Sequence, residues 1–368
     1  MKIALITIHW ANNYGAALQV YACAKSLSRF GQVSVIDYRC EYTSKGMQLF
    51  RFGWGVRDLL RLGKDLLRIF PRYRVIKKFS EFNANNLSVT RIIRTDEDFK
   101  KLVSDFDVFV SGSDQIWNPK IVSDLGRLDG RFFLDFAQDK KRISYASSMG
   151  TYKYSPQEIK SVASYLNKYQ FISVRESDTA VTLQEILGRS VEHVLDPTLL
   201  MNKSEWLSGC SKKIENRPGY ILVYALKKDK LLKEVVEKTS SLLGLKVYSI
   251  DQDPVINYRC DRHMMDVGPD EFVELFSNAS FVITNSFHGT AFSVNLNIPF
   301  IVTTPPTGIN RINSLLKSVG LEDRIIGHYD EQALNRNIKD VDFSDSNKRL
   351  DDLRERSFEF LERALKDA

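Results

Sequence analysis

Short apolar runs alternate with helix-patterned segments along nearly the whole chain, and this alternation restricts the fold more than any other feature. The first forty residues read as a strand (KIALITI), a loop (HWANNYGA), a helix (AALQVYACAKSLSRF) and a second strand (VSVIDY). Two strands joined through a helix run parallel, because a parallel pair needs a crossover long enough to hold a helix. The sequence therefore predicts an α/β protein built on parallel sheets.

The alternation comes in two series, which predicts two domains in this chain of 368 residues. We expect an N-terminal Rossmann-like domain over 1–200, a linker over 201–219, a C-terminal Rossmann-like domain over 220–340 and a helix over 341–368 that packs back on the first domain. Two doubly wound domains that face each other enclose a cleft. Ligands of open α/β sheets bind at the carboxyl ends of the strands.

The net charge of +6 is concentrated in one segment. Residues 51–81 contain nine Lys or Arg and three Asp or Glu, so the rest of the chain sums to zero. An extended basic surface for nucleic acid is therefore not expected. Within this segment, 51–79 mixes leucines with arginines in the manner of an amphipathic helix. Such a helix either packs on the core with solvated arginines or docks on an anionic lipid surface.

The cysteines Cys23, Cys40, Cys210 and Cys260 form no C-x-x-C pair and have no histidine at zinc-finger spacing. We therefore expect neither a metal site nor disulfides, and scattered thiols of this kind favour a cytoplasmic location. No stretch approaches the roughly 20 apolar residues that a membrane-spanning helix needs. The first residues read as a strand and not as a signal peptide.

Polar residues follow the first predicted strand, where a ligand of such a sheet would bind. Asn12, Asn13 and Gly15 either form a simple turn or present backbone N–H groups to an anion or a sugar hydroxyl. The loop lacks G-x-G-x-x-G, which disfavours dinucleotide binding. His9, at the start of this loop, shows no recurring spacing with the other histidines and is assigned no function.

A denser polar group follows the strand DVFV in VSGSDQIWNP. Carboxylate, amide and hydroxyl side chains beside an aromatic ring suit a carbohydrate, because the ring stacks on a sugar face while the polar groups bind its hydroxyls. Asp114 would act as general base on an acceptor hydroxyl, or it only caps a turn. The candidate acceptor-binding residues of this loop are Ser113, Gln115, Trp117 and Asn118.

Basic residues follow two later strands. Arg175 ends the run FISVR and would either clamp a carboxylate or phosphate or form an ion pair with a nearby acid. In NSFHGTAFS, Gly289 permits close backbone approach, and Thr290 opens a helix whose N-terminus favours an anion. His288 would donate a proton to that anion, or it is a packed turn residue. Arg311 is either a further basic group of this site or a surface residue.

The chain resembles the polysaccharide pyruvyl transferase family over nearly its whole length. The blocks that carry the resemblance include NYGAALQVYA, FDVFVSGSDQIWNP, KRISYASSMG, ISVRE and ITNSFHGTAFSVNLNIPFIV. The resemblance implies a two-domain glycosyltransferase-B-like architecture. It also implies transfer of a pyruvyl group from phosphoenolpyruvate to two hydroxyls of one sugar, with ketal formation and release of phosphate. Phosphoenolpyruvate would be a co-substrate, and the scheme requires no metal or bound cofactor.

The family's motifs carry over residue by residue. His288 matches the histidine of the H-G block and Arg175 the arginine of the V-R-E block, whereas Ser286 stands where many members have an arginine. His288 would then be the general acid or would stabilise the leaving phosphate. The implied donor-binding residues are Arg175, Ser286, Gly289, Thr290 and Arg311.

The resemblance also bears on the acceptor and on location. A sugar or a lipid-linked oligosaccharide of capsule, exopolysaccharide or other cell-surface glycan synthesis would bind on the first domain's loops. The basic segment 51–79 would then make a peripheral contact with the inner face of the cell membrane. Two other functions fit the same residues: a nucleotide-sugar glycosyltransferase of the same fold, and a carbohydrate-binding protein without catalysis.

Overall fold

The structure is a computed structural model and describes residues 1–50, 63, 68–210, 219–304, 309–339 and 341–366. Contacts between residues divide the chain into two compact units. The first unit comprises 1–47, 83–200 and 352–368, and the second unit comprises 48–82 and 201–351.

In the first unit, seven described strands form a parallel sheet in the order β3-β2-β1-β4-β5-β6-β7. The strands are β1 (Lys2–Ile6), β2 (Gln32–Tyr38), β3 (Val89–Ile93), β4 (Val108–Ser111), β5 (Lys141–Ser147), β6 (Phe171–Val174) and β7 (Glu192–His193). On the interior strand β1, Ile3 pairs with Val33 of β2 and with Val108 of β4. Residues 3–6 are fully buried, as expected for a parallel strand that is covered on both faces.

The helices of the first unit connect these strands and follow their sequence signals. They are Tyr14–Leu27, Glu41–Ser44, Asp96–Val103, Pro119–Val122, Pro156–Leu166, Ser177–Leu187 and Pro197–Leu200. Ser155 and Glu158 form a capping box: the Ser155 hydroxyl accepts the Glu158 N–H at 3.3 Å, and the Glu158 carboxylate accepts the Ser155 N–H at 2.7 Å. Gly188, with φ at 63°, ends the preceding helix in the left-handed conformation that favours glycine.

In the second unit, six described strands form a parallel sheet in the order β10-β9-β8-β11-β12-β13. The strands are β8 (Tyr220–Tyr224), β9 (Lys246–Ile250), β10 (Arg262–Met264), β11 (Phe281–Thr284), β12 (Phe300–Thr303) and β13 (Ile325–Ile326). Its helices are Lys203–Cys210, Lys230–Leu243, Pro269–Ser277, Phe287–Leu296, Ile309–Val319 and Glu331–Asn337. Two longer helices, Ile69–Asn86 and Ser344–Lys366, have residues in both units. Two parallel sheets with alternating helices confirm the predicted pair of Rossmann-like domains.

The stretch predicted as a linker contains a packed helix. In Lys203–Cys210, Trp206 is fully buried and packs edge-on against Phe292, with 5.0 Å between ring centroids. Asn202 and Glu205 cap its start reciprocally, with N–H to oxygen distances of 2.8 and 2.9 Å. The N-x-x-E pattern signals such a cap, but eight residues are too few to show helical periodicity.

The basic segment 51–79 was predicted with the first domain, but its described residues group with the second unit. Those residues are 63 and 68–79, and the rest of the segment lies outside the described residues. Sequence order alone places the segment between two strands of the first sheet. In the helix Ile69–Asn86, Lys78 nevertheless donates to the Glu271 carboxylate, 193 residues later in the chain, and no local pattern reveals this contact.

The end of the helix Ser344–Lys366 packs on the first unit, as predicted. The Ser357 hydroxyl accepts the Leu195 N–H at 3.1 Å, and Arg354 Nε donates to the Leu199 carbonyl at 2.7 Å. These bonds join the last helix to the segment that follows β7.

Candidate active site

The turn between β11 and the helix Phe287–Leu296 is fixed by hydrogen bonds to the end of β8. The Thr284 hydroxyl donates to the Tyr224 carbonyl at 2.6 Å and accepts the Ser286 N–H at 3.1 Å. The Asn285 side chain accepts a backbone N–H from the segment after β8 at 2.7 Å. Because β8 and β11 are neighbours, these bonds hold the start of the helix at the carboxyl edge of the sheet.

Gly289 allows this helix to lie close to the sheet. A Cβ atom at this position would collide with the Thr284 hydroxyl and would lie 3.2 Å from Tyr224 Cδ1. Thr290 is fully buried, and its hydroxyl donates to the Ser286 carbonyl at 3.0 Å. The helix that Thr290 was predicted to open begins three residues earlier, at Phe287, so Thr290 lies at the end of its first turn. A threonine hydroxyl near a helix start reaches the carbonyl four residues earlier, and here it stabilises the turn.

His288 is half-buried, whereas its neighbours Phe287 and Gly289 are buried. Its ring packs nearly perpendicular to that of Phe287, with 5.2 Å between centroids. The Arg311 guanidinium, on the helix Ile309–Val319, lies 5.8 Å from the centroid of the same phenylalanine ring. His288 and Arg311 therefore both lie near the Phe287 ring in the first turn of this helix, where backbone N–H groups and the helix dipole favour an anion.

Ser286 is the N-cap residue of this helix and is buried, with an extended backbone (φ −106°, ψ 138°). Burial raises the pKa of Tyr224 to about 12, and a hydrogen bond with the Ser286 side chain opposes that rise. Ser286 thus contributes a hydroxyl in a polar contact and no charge. Arg311 supplies a cation near this helix start.

Arg175 lies in the first unit, just after β6, within a buried cluster of charges. Its Nη1 donates to Asp196 at 2.8 Å and its Nε to Glu176 at 3.2 Å, and all three side chains are almost fully buried. We call these three residues the acid–arginine cluster. Burial lowers the pKa of Arg175, but Glu176, Asp196 and Asp114 raise it to above its ordinary value. Arg175 therefore forms the ion pair that the sequence left open as an alternative. These contacts favour a structural role of Arg175 over the predicted binding of the donor.

Asp114 is half-buried at the end of β4 and has a φ of 77°, in the left-handed region that non-glycine residues seldom occupy. Its Oδ1 accepts the Gln115 N–H at 2.8 Å, and its carbonyl accepts the Ser148 N–H at 3.1 Å. A short polar side chain that bonds to its own backbone makes this conformation less costly. Unusual backbone geometry at the carboxyl edge of a sheet marks Asp114 as a candidate functional group.

Trp117 is a core residue and not a sugar platform. Its side chain is fully buried, its ring stacks on Phe133 at 5.4 Å, and its Nε1 donates to the Phe132 carbonyl at 3.3 Å. Neither face of the ring is available to a ligand, so the predicted stacking on an acceptor is wrong. The sequence signal was misleading because a tryptophan after a strand is equally able to fold back under the loop.

The other predicted acceptor residues of this loop differ in exposure. Ser113 is fully buried, and its hydroxyl donates to Asp196 of the acid–arginine cluster at 3.3 Å. The Asn118 amide donates to Gln115 Oε1 at 2.9 Å, and Asn118 Oδ1 accepts the Lys120 N–H at 3.1 Å. Gln115 is half-buried, so among these three it is the side chain with the most exposure at the sheet edge.

The loop after β1 has the geometry of a helix start. Asn13 is the N-cap of Tyr14–Leu27, and its Oδ1 accepts the Ala16 N–H at 3.2 Å. Gly15 is buried in the first turn, and Asn12 is half-buried. These contacts match the simple turn, which was one of the two alternatives that the sequence allowed. The N-terminus of the helix lies at the carboxyl edge of the first sheet.

His9, for which no function was predicted, forms a buried pair with Asp37 of β2. Nε2 of His9 lies 3.1 Å from Asp37 Oδ1, and Arg39 donates to both oxygens of Asp37 at 2.8 and 2.9 Å. Burial raises the pKa of Asp37, but the hydrogen bonds from His9 and Arg39 lower it to about 2. A histidine after one strand and an aspartate in the adjacent parallel strand was the signal that could have predicted this pair.

The described residues contain no group of three or more His, Cys, Asp or Glu that could hold a metal ion. No helix in the described part of the chain is long and apolar enough to cross a membrane. A surface cavity of about 690 Å³ opens on the first unit, and its lining includes Lys100, Asp129, Arg131 and Asp135. The predicted site residues, all of which are described, lie outside this lining.

Comparisons with known proteins agree with this architecture. The model of the family described as polysaccharide pyruvyl transferase matches residues 13–305. No curated protein matches the chain significantly in sequence.

Among solved structures, the UDP-GlcNAc 2-epimerase from Neisseria meningitidis bound to UDP-GlcNAc is 13% identical with a TM-score of 0.55, covering 98% of this chain and 94% of that chain. The UDP-GlcNAc 2-epimerase from Methanocaldococcus jannaschii is 12% identical with a TM-score of 0.52, covering 92% of each chain. An α-glucosyltransferase in complex with UDP is 10% identical with a TM-score of 0.52, covering 99% of this chain and 96% of that chain. At these identities the likeness concerns the fold alone.

Proposed function

The chain belongs to the polysaccharide pyruvyl transferase family, and we propose that it transfers a pyruvyl group from phosphoenolpyruvate to two hydroxyls of one sugar. The family is one of transferases in polysaccharide biosynthesis, so an enzyme is expected. The identity of the donor, the two hydroxyls of the acceptor and the roles of single residues are the proposal.

The proposed reaction forms two C–O bonds at C2 of phosphoenolpyruvate and breaks the C2–O bond to phosphate. Protonation of the methylene carbon makes it a methyl group and leaves an oxocarbenium-like centre at C2. The first acceptor hydroxyl adds to C2, and the second displaces phosphate to close the ketal. The two hydroxyl groups release two protons. One replaces the proton that the general acid gave to the methylene carbon, and the other leaves with phosphate.

The half-buried His288 in the first turn of an otherwise buried helix is the observation that carries the proposal. The helix N-terminus suits the phosphate or the carboxylate of the donor, because its N–H groups and its dipole both favour anions. Arg311, which shares the Phe287 ring with His288, suits the second anionic group. His288 as an imidazolium would protonate the methylene carbon or the departing phosphate.

Asp114 is proposed as the base that takes a proton from the acceptor. Its left-handed backbone holds a half-buried carboxylate at the carboxyl edge of the first sheet. Hydrogen-bonding groups for a sugar come from the half-buried Gln115 and Asn12 and from the exposed Asn13 at the helix start. The acid–arginine cluster is not assigned to the donor, because its carboxylates would repel the anionic phosphoenolpyruvate.

The test is incubation of the purified chain with phosphoenolpyruvate and candidate sugar acceptors. Phosphate release, matched by a mass gain on the sugar that corresponds to a pyruvyl ketal, is the expected result. We expect His288→Gln to lower kcat by roughly 10²-fold or more. His328→Gln is the matched control, since His328 is exposed, and it should keep full activity. Phosphate release without a change in sugar mass would refute the proposal.

A nucleotide-sugar glycosyltransferase is the second candidate, favoured by the fold shared with an α-glucosyltransferase in complex with UDP. It predicts release of UDP or another nucleotide from a sugar nucleotide and no consumption of phosphoenolpyruvate. A carbohydrate-binding protein without catalysis predicts sugar binding that His288→Gln does not alter, and no turnover with either donor.

A further inference from the structure

The first turns of the helix Ile69–Asn86 present two aromatic rings to solvent. Phe70 is 75% exposed and Tyr73 is 57% exposed. Arg74 and Lys77 beside them have side chains that are 66% and 59% exposed. Their spacing of three, four and seven residues puts all four on one face of the helix. We call this set the aromatic–basic face.

The opposite side of the same helix is firmly packed, so the exposure of the aromatic–basic face does not reflect a loosely held helix. Val75 and Phe79 are fully buried. Arg72 is 4% exposed, and its Nε donates to two backbone carbonyls at 3.0 and 2.9 Å. Lys78 donates to both carboxylate oxygens of Glu271 at 2.9 and 2.7 Å.

Single exposed apolar residues are ordinary on protein surfaces, but two neighbouring aromatic rings flanked by cations are a distinct pattern. Aromatic rings partition to the level of lipid headgroups, and arginine and lysine attract anionic headgroups. Arg74 Nη1 lies 3.3 Å from Asp266 Oδ2, and Lys77 Nζ lies 3.7 Å from Glu81 Oε1. Both pairs are exposed, and such pairs contribute little, so they do not prevent these cations from contacting a second surface.

The charge of this segment favours the same partner. Residues 51–81 carry a net charge of +6. Arg72 is buried and Lys78 is paired with Glu271, so these two cations do not add to the exposed face, whereas Arg74 and Lys77 do. A surface that is aromatic and locally cationic is complementary to an anionic bilayer and repels other cationic surfaces.

We propose that the aromatic–basic face docks on an anionic membrane surface. Phe70 and Tyr73 enter the headgroup layer while Arg74 and Lys77 contact anionic lipid. The contact is peripheral and reversible, because two aromatic rings and a few cations bind far more weakly than a spanning helix. This proposal stands independently of the donor and acceptor chemistry.

Co-sedimentation of the full chain with vesicles tests the proposal. We expect binding to vesicles that contain phosphatidylglycerol and little binding to vesicles of phosphatidylcholine alone. Phe70→Ser/Tyr73→Ser and Arg74→Glu/Lys77→Glu should each weaken binding by roughly tenfold or more, since each cation near an anionic surface contributes roughly fivefold. The matched controls in the same unit are Val255→Ser, 65% exposed, and Lys230→Glu, with an 89% exposed side chain, and these should bind as the unaltered chain does.

Three results would overturn the proposal. One is equal binding to neutral and anionic vesicles, and another is equal weakening by the control variants. The third is a concentration-dependent dimer in lipid-free sedimentation that Phe70→Ser/Tyr73→Ser abolishes, because the face would then be covered by a second copy of the chain. The circular dichroism spectrum of each variant must match that of the unaltered chain. If Phe70→Ser/Tyr73→Ser unfolds, the variant Phe70→Trp gives an independent measurement, because brominated lipid quenches the fluorescence of a tryptophan that enters the headgroup layer.

Discussion

Replacing Arg175 by methionine distinguishes a structural role of this arginine from a role in donor binding. The change removes the cation of the acid–arginine cluster while it keeps an unbranched side chain in the same space. Glu176 and Asp196, with side chains 6% and 0% exposed, would remain buried with their main counter-charge removed. Breaking a buried ion pair from one side lowers the free energy of unfolding by about 3–5 kcal/mol.

The size of the effect in a melting experiment follows from the size of the folded unit. A unit of this size loses about 2–4 °C in Tm for each kcal/mol, so the melting temperature of the first unit should fall by roughly 6–20 °C. Without the arginine, two buried carboxylates lack their counter-charge, and burial penalises the charged form of a carboxyl group. We therefore expect the loss of stability to be largest at neutral pH and smaller near pH 4.

Thermal unfolding followed by circular dichroism at several pH values measures this prediction. Arg91→Met, at an exposed position on β3, is the matched control and should change Tm little. Asp196→Asn added to Arg175→Met should recover part of the loss, because it removes one of the two uncompensated charges. If Arg175→Met melts like the control and only raises the KM for phosphoenolpyruvate, the structural account of Arg175 is refuted.

Two further predictions concern packing and pH. Gly289→Ala should lower Tm, because the collision of the new methyl group with Thr284 costs about 1–3 kcal/mol. This cost exceeds the gain of up to ~1 kcal/mol from replacing a glycine within a helix. An unchanged or higher Tm would contradict the close approach of the helix to Thr284. Asp37→Asn should lower the free energy of unfolding by about 2 kcal/mol above pH 4, because the pKa of Asp37 is lowered to about 2 by His9 and Arg39. The difference between the two proteins should shrink as the pH falls from 4 toward 2, and a difference that does not change with pH would contradict the assignment.

The fold followed from the sequence because its signals are local. Apolar runs, capping boxes and glycines at helix ends each act within a few residues, and together they predicted both series of strands and helices. The helix Lys203–Cys210 was missed because its burial depends on Trp206 meeting Phe292, which is 86 positions away along the chain. The membership of 68–79 in the second unit was missed for the same reason.

The candidate site was predicted less completely, because polar residues at strand ends have more than one outcome. The sequence identified the H-G turn, and the structure brings Arg311 to it through the Phe287 ring. Trp117 and Thr290 turned inward, and no sequence pattern states in which direction a loop side chain points. The His9–Asp37 pair was missed because its two residues are joined only by the register of β1 and β2.

The central claim, that this chain protonates phosphoenolpyruvate and transfers its pyruvyl group to a sugar, is tested most directly by turnover in heavy water. With phosphoenolpyruvate and an acceptor sugar, we expect one phosphate released for each ketal formed and a ketal methyl group that carries a single deuterium. In heavy water the general acid adds a deuteron to the methylene carbon in place of a proton. His288→Gln should slow this incorporation by the same factor as it lowers kcat. A sugar product without deuterium in a methyl group, or phosphoenolpyruvate that remains unconsumed, would contradict the account.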